Sequence, residues 1–261
     1  MSPQPSFEEL EPFYHEDYSP YETEREPIDD LVEQASREGE FRHITIRPGI
    51  EILDLGCGGG DFLRVAAHLG ARVVGVDPSP IAAQRARGQD VEVFCGTIED
   101  YAAAHEGRRF DVVTGSHVIE HVPQPVETLR TMKRLLKPDG FIWLGLPNAG
   151  CWAYLRLRGR WHAAGLPWHI QQFTTTSIVR AGQRAGLTAR RVDTESPAHA
   201  TAASLRQWLR YRLLIPERLT ERIRPLNRFV AAYVSKRLDQ QVAGEAILAE
   251  FVADNQETNE R

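Results

Sequence analysis

Short apolar runs alternate with amphipathic stretches along most of this chain. Ile52, Leu53 and Leu55 make one run and Val73, Val74 and Val76 the next. Others occupy residues 91–95, 110–114, 141–146, 187–192 and 244–252. Apolar runs of this length, bounded by Gly, Pro or Asp, read as strands buried on both faces. Between them lie stretches of helical spacing. Ile28, Leu31, Val32 and Ala35 share a face in residues 28–41, and Phe62, Leu63, Val65, Ala66 and Leu69 share one after the first run. Residues 78–87 read as a short helix stopped by Gly88, and an Ala-rich turn follows Asp100. Residues 125–136 put Val126, Leu129, Met132, Leu135 and Leu136 on one face. Thr174 or Thr175 caps a helix running to Ala185, with Gly186 as its stop. Strand–helix alternation of this kind predicts a parallel sheet covered on both faces, with ligands bound at the carboxyl ends of its strands. Asp77, Thr97, His117, Pro147 and Asn148 all lie just past predicted strand ends and share that edge.

The turn after the first run is dense in glycine: Gly56-Cys57-Gly58-Gly59-Gly60. Glycine tolerates positive φ and lets the backbone approach a ligand closely. The N–H groups at the following helix start attract polar or anionic ligand groups. Asp77 ends the second strand, where a carboxylate can accept both hydroxyls of a ribose. Strand, glycine turn, helix, strand and acid together describe a nucleotide-binding βαβ unit. The spacing G-x-G-x-G, with Asp54 two residues upstream, differs from the G-x-G-x-x-G of dinucleotide sites. A NAD(P)- or FAD-binding oxidoreductase is the rival reading, and a non-catalytic protein that merely binds cofactor is a second.

Composition narrows the class without naming a function. A length of 261 residues allows a full core in one domain with embellishments. A net charge of −5 gives no global reason to expect nucleic acid. Cys57, Cys95 and Cys151 are far apart and form no C-x-x-C, which fits a reducing cytosol. No signal peptide opens the sequence and no apolar run approaches the ~20 residues of a membrane span, so a cytoplasmic protein is expected.

The two ends of the chain depart from the alternating pattern. Residues 1–26 are acidic, punctuated by proline and rich in aromatics, including Tyr14 and Tyr18. The expectation is an arm that, with the helix after it, covers the cofactor site over residues 1–44. A basic, aromatic connection follows Asn148 and carries Arg156, Arg158 and Arg160. Residues 204–238 read as helices broken by Pro216 and Pro225, with nine Lys or Arg against Glu217 and Glu221. Domain organisation is therefore expected as a core of residues 45–195 and 244–253, a basic helical lid of residues 196–243, and a disordered tail of residues 254–261. The lid either covers an acceptor pocket or lies on an anionic membrane that carries a lipid-linked acceptor.

L-D-L-G-C-G-G-G, V-V-G-V-D-P-S, F-D-V-V-T-G-S-H-V-I-E-H-V-P-Q-P and L-K-P-D-G-F-I-W-L-G-L-P-N together resemble the class I S-adenosylmethionine-dependent methyltransferases. The likeness is to the small-molecule subgroup that contains ubiquinone-pathway O-methyltransferases. It covers roughly residues 45–195 plus the last strand, and P-W-H-I-x-x-F-T resembles another signature of that subgroup. The resemblance implies a Rossmann-like α/β fold with a seven-stranded sheet of order 3-2-1-4-5-7-6, strand 7 antiparallel. It implies S-adenosyl-L-methionine as cofactor. Asp54, Gly56, Cys57, Gly58 and Gly60 would surround its methionine part, Asp77 its ribose and Pro78 its adenosine. Thr97, Ile98 and Glu99 would lie beside the adenine, where relatives often have Asp in place of Thr97. Ser116 and His117 would approach the methionine end.

Methyl transfer from a sulfonium is an in-line displacement in which alignment supplies much of the acceleration. A base is needed where the acceptor is a hydroxyl or a protonated amine, and histidine suits that role near neutral pH. His169, His117 and His121 are the candidates, His169 foremost because it follows the connection where acceptors bind in the family. Tyr14, Tyr18, Asn148, Arg156, Trp168 and His169 are expected to contact a small-molecule acceptor. No metal site is assigned, since the adjacent Glu120 and His121 would share an ion poorly on a helix, and the resemblance to quinone-pathway enzymes leaves metal assistance open.

Overall fold

The computed structural model describes residues 27–37, 43–87, 91–165, 167–212, 214 and 244–254. Seven strands form one sheet: β1 (Glu51–Leu55), β2 (Arg72–Asp77), β3 (Glu92–Cys95), β4 (Phe110–Ser116), β5 (Leu136–Pro147), β6 (Leu187–Glu195) and β7 (Ala246–Ala253). Their order is β3-β2-β1-β4-β5-β7-β6, as the family resemblance implies. The first five strands pair in parallel, and β7 runs antiparallel to both β5 and β6.

The helices are α1 (Ile28–Arg37), α2 (Asp61–His68), α3 (Pro80–Arg87), α4 (Ile98–Ala104), α5 (Pro125–Arg134), α6 (Trp152–Leu157), α7 (Thr175–Arg184) and α8 (Ala198–Arg212). Strand alternation divides the core into two layers. Ile142, Leu144 and Leu146 of β5 and Ile247, Ala249 and Phe251 of β7 face one way, onto Ile98 and Tyr101 of α4, Leu129 and Met132 of α5, and Ile178 of α7. Ile52, Val112, Trp143 and Leu248 face the other way and meet Ala66 of α2. Side chains of this size stabilise by roughly 1.5–3 kcal/mol each on full burial, so these layers supply the driving force for the fold.

Two boundaries differ from expectation. The helix predicted over residues 125–136 ends at Arg134, and Leu136 already pairs with Phe110. The K-P-D-G turn is thereby absorbed into a bulged β5. Gly140 makes this work, because a Cβ there would lie 2.9 Å from the Phe110 carbonyl oxygen. The basic helix predicted to begin at Ser204 begins at Ala198. It is fixed by a buried knot: Ser204 Oγ and Trp161 Nε1 donate to Glu245 Oε2 at 2.6 and 3.1 Å. The rest of the expected lid, the expected arm with Tyr14 and Tyr18, and the tail lie outside the described residues.

Candidate active site

Every glycine of the turn that the G-x-G-x-G pattern marks has positive φ: Gly56 at 69°, Gly58 at 52° and Gly60 at 86°. A Cβ at Gly56 would meet Val118 Cγ2 at 2.3 Å, so the turn packs directly against the loop after β4. Asp77 clamps the turn from the end of β2. Its Oδ2 accepts from the Gly58 N–H at 3.0 Å and its Oδ1 from the Ser79 N–H at 2.9 Å. Burial pushes the Asp77 carboxyl up, although these two backbone donors pull the other way. Asp54 lies on β1 beneath the turn, fully buried, with Thr114 Oγ1 donating to its Oδ1 at 2.6 Å. Burial and the nearby Asp77 push Asp54 up to about 7 despite that hydrogen bond.

A ligand group carrying positive charge would pull the buried Asp54 into its ionised form. The G-x-G-x-G spacing, in place of the G-x-G-x-x-G of a dinucleotide site, makes the nicotinamide-dinucleotide alternative the poorer fit to this turn.

The other predicted cofactor contacts are sorted by their side chains. Cys57 turns into the core beside Leu63 and Val93, and its thiol is pushed well up by burial, so only its backbone can serve the site. Pro78 is half-buried beside Asp77. Thr97 caps α4 in a reciprocal box with Asp100: Asp100 N–H donates to Thr97 Oγ1 at 3.1 Å, and Thr97 N–H to Asp100 Oδ2 at 3.1 Å. Its hydroxyl also donates to Asp100 Oδ2 at 2.7 Å, so an adenine amino group would meet an engaged side chain. Ile98 is a core residue at 1% exposure. Glu99 Oε1 accepts from Thr128 Oγ1 at 3.1 Å, tying α4 to α5. Ser116 ends β4 beside Gly145 of β5.

The loop after β4 holds the candidate catalytic groups. It is a turn rather than a helix, entered through His117 at φ 53°, a left-handed conformation rare for a residue with a Cβ. The turn aims the Glu120 side chain inward, where it is 2% exposed. His117 Nδ1 lies 3.2 Å from Glu120 Oε1, while half of the His117 side chain faces solvent. His169 arrives from the far side. Its backbone N–H donates to the Gly165 carbonyl at 2.8 Å, and the Gln171 N–H donates to the Glu120 carbonyl at 3.0 Å. Any side chain at Gly165 would collide with the His169 ring at 2.2 Å. His169 Nε2 then stands 4.0 Å from Glu120 Oε1, and its ring meets that of His121 edge to face at 4.6 Å.

The electrostatics of the cluster follow from burial. Glu120 is pushed up by burial but pulled further down by the His117 hydrogen bond and the three imidazoles, so it is held ionised. Burial pushes His121 down to about 4 and lowers His169 as well. At neutral pH the cluster is therefore an ionised carboxylate beside the neutral rings of His121 and His169.

The expected acceptor contacts divide. Trp168 is half-buried beside His169. Asn148 is buried with its polar atoms engaged: Nδ2 donates to the Gly244 carbonyl and Oδ1 accepts from the Gly150 N–H, both at 2.8 Å. It pins the exit of β5 to the entry of β7. Arg156 is exposed at the end of α6. Sequence reasoning gave Glu120 no role of its own; the signal was its spacing three residues from His117. Gly165 and the carbonyl of Ala163, 3.2 Å from His169 Nδ1, left no sequence signal.

The family described as "Methyltransferase domain" matches residues 21–192. Among curated proteins, the ubiquinone biosynthesis O-methyltransferase of Thiobacillus denitrificans is 41% identical over 113 residues, covering 41% of this chain and 48% of that protein. The protein of the same name from Haemophilus ducreyi is 39% identical over 116 residues, covering 41% and 49%. The chain thus spans about half the length of these curated relatives. Among solved structures, a SAM-dependent methyltransferase from Archaeoglobus fulgidus superposes with TM-score 0.56 at 16% identity, covering 87% of this chain and 95% of that one. A methyltransferase from Mesorhizobium loti gives 0.55 at 19% identity, covering 85% and 99%. These structural likenesses show the fold.

Proposed function

Starting from the premise that the chain belongs to the methyltransferase domain family, we propose that it transfers the methyl group of S-adenosyl-L-methionine to a hydroxyl of a small molecule. The glycine turn, Asp54 and Asp77 take the cofactor, whose positive charge suits the two buried carboxyl groups. The names of the curated relatives support oxygen as the methylated atom.

The observation that carries the reading is the His117–Glu120 pair beside the glycine turn. A sulfonium methyl needs no activation, but a hydroxyl must lose its proton as it attacks. His117 offers a half-exposed ring whose Nδ1 is held at 3.2 Å by a buried carboxylate, the arrangement that orients a histidine base. His169, foremost by sequence position, has Nδ1 turned to the Ala163 carbonyl and Nε2 to Glu120, so its geometry suits positioning better than proton removal. His117→Ala is expected to lower turnover by ~10²–10⁴-fold while S-adenosylhomocysteine affinity by calorimetry changes less than about threefold. A turnover loss matched by lost cofactor affinity would make His117 a cofactor contact instead.

One surface favours a lipid-linked acceptor. Leu155, Tyr211 and Leu214 are exposed at 53%, 44% and 84%. Arg156, Arg158, Arg160, Arg210 and Arg212 of the same segments are exposed as well, with the Arg160 guanidinium 5.3 Å above the Tyr211 ring. No Asp or Glu occurs in residues 149–192. Among the described residues no helix is long and apolar enough to cross a membrane. Apolar side chains accompanied by arginine suit the interface of an anionic bilayer instead.

A further inference from the structure

We propose that Glu245 is a positioning residue of the active site: it pins the turn that carries Trp161 to the sheet, and through that turn it sets the seat and tautomer of the His169 ring. Glu245 directly precedes β7 and is 4% exposed. Its backbone is fastened to the sheet side. The carbonyl accepts from the Asn148 N–H at 2.8 Å, and the N–H donates to Ser196 Oγ at 3.2 Å. Its side chain meets the cap formed by α6, the turns of residues 158–164 and α8. Oε2 accepts from Ser204 Oγ of α8 at 2.6 Å and from Trp161 Nε1 at 3.1 Å. Trp161 is 2% exposed, so water cannot replace that acceptor while the turn stays closed.

The contacts continue from Trp161 to the catalytic loop. Three successive carbonyls of its turn meet residues 169–172. Ala163 O lies 3.2 Å from His169 Nδ1, Ala164 O accepts from Gln172 Nε2 at 2.9 Å, and Gly165 O accepts from the His169 N–H at 2.8 Å. A carbonyl only accepts, so Nδ1 carries the ring proton of His169. The Gln171 N–H then donates to the Glu120 carbonyl, and Glu120 Oε1 holds His117 Nδ1 at 3.2 Å. α8 grips the same turn a second time, through Ser204 Oγ at 3.3 Å from His162 Nδ1 and Gln207 Oε1 accepting from the His162 N–H at 3.0 Å.

Hydrogen bonds make this chain sensitive to small displacements. A shift of the turn by about 1 Å takes the Ala163 carbonyl out of reach of Nδ1, and active-site geometry is held to roughly half that distance by supporting contacts. The seat fits closely, since a Cβ at Gly165 would stand 2.2 Å from His169 Nδ1. The glycine turn and Asp77 are fixed by their own hydrogen bonds on β1 and β2, so cofactor affinity should not follow the seat. If the chain methylates a hydroxyl, as proposed above, a displaced His169 would also slow turnover. That consequence rests on the functional reading; the seating does not.

The test uses the full chain with ¹⁵N-labelled histidine, read by NMR of the ring nitrogens, with the His169 signals identified by their loss in His169→Gln. Wild-type protein is expected to show His169 as one Nδ1–H tautomer. Glu245→Leu, which removes the acceptor, and Trp161→Phe, which removes the donor, should each cut that population by roughly threefold or more. Trypsin should cleave after the exposed Arg158 and Arg160 roughly tenfold faster in both. Glu245→Gln can keep its carbonyl oxygen at the Oε2 position and place its amide where Oε1 takes no hydrogen bond among the described residues, so both readouts should stay near wild type. Circular dichroism and S-adenosylhomocysteine affinity certify the fold of each variant. His105, whose Nδ1 meets the Tyr101 carbonyl at 3.0 Å at the end of α4, should keep its signal throughout. An unchanged His169 tautomer in folded Glu245→Leu overturns the proposal, as does a Glu245→Gln protein that loses the tautomer as fully as Glu245→Leu. Tautomer loss that always comes with an equal loss of S-adenosylhomocysteine affinity overturns it too, because Glu245 would then support the whole fold. If the unaltered chain binds no S-adenosylhomocysteine but its His169 tautomer depends on Glu245, the seating stands and the functional reading falls.

Discussion

Asp54 shows how one residue's surroundings choose a ligand. Its carboxyl is pushed up to about 7 by burial and by Asp77, so without a cationic partner it is about half protonated at neutral pH. A cationic methyl donor favours the ionised form, and apparent affinity scales with the fraction in that form. With a pKa near 7 that fraction rises about tenfold from pH 6 to pH 8. S-adenosylmethionine binding should therefore strengthen by about that factor over this range, and Asp54→Asn should flatten the difference; calorimetry at both pH values on both proteins measures it. Folding runs the other way. The native state keeps the Asp54 proton that the unfolded chain releases near pH 4, so this residue lowers stability as pH rises from about 4 to 7. The sequence marks Asp54 by its place before the glycines, but only the fold supplies the burial and the neighbouring Asp77 that shift it.

Among the elements, α7 shows packing overruling local preference. Gly182 lies in the last turn of α7, where alanine would still be favoured by up to about 1 kcal/mol. A Cβ there would stand 2.4 Å from the Phe251 ring on β7, and the ring is fully buried. Overpacking of this kind costs typically 1–3 kcal/mol, so it outweighs the gain in propensity. Gly182→Ala is expected to lower the urea midpoint, and a raised midpoint would show that Phe251 can move at little cost. The helix itself is legible beforehand, since Thr174 caps it and Gly186 follows its end. The bulge of β5 is not. Its K-P-D-G sequence carries a turn signal, and only the pairing of Leu136 with Phe110 turns it into strand.

At the scale of the whole molecule, a chain of net charge −5 carries a flank that, among the described residues, exposes a run of arginines. α6 and α8 meet there, joined through the Glu245, Ser204 and Trp161 knot. Exposed arginines of these segments accompany exposed Leu155, Tyr211 and Leu214, and the Arg160 and Arg210 guanidinium groups lie 5.3 and 5.9 Å from the Tyr211 ring. Each basic residue near an anionic bilayer contributes about 1 kcal/mol, screened by salt. Co-sedimentation with phosphatidylglycerol vesicles but not with phosphatidylcholine vesicles is expected, with release at high salt. Replacing Arg156, Arg158 and Arg160 together by Gln should cut the bound fraction several-fold, whereas equal binding to both lipids would assign this flank to something other than an anionic membrane.

The sequence by itself determined the strands and helices, the glycine turn and the acid that follows it, while the strand order followed only from the family resemblance. Those features rest on local rules: a two-residue or 3.6-residue period, glycine where φ is positive, and an acid at a strand end. The family resemblance rests on the same contiguous motifs. Only the tertiary structure brought the histidines together. Glu120, His121 and His169 meet across 48 residues of chain because a turn follows β4 and Gly165 leaves room for an imidazole. Nothing local in the sequence encodes that meeting, because burial, tautomer and side-chain spacing depend on which segments pack together. The same holds for His117, whose ring is aimed by a carboxylate that the fold alone buries.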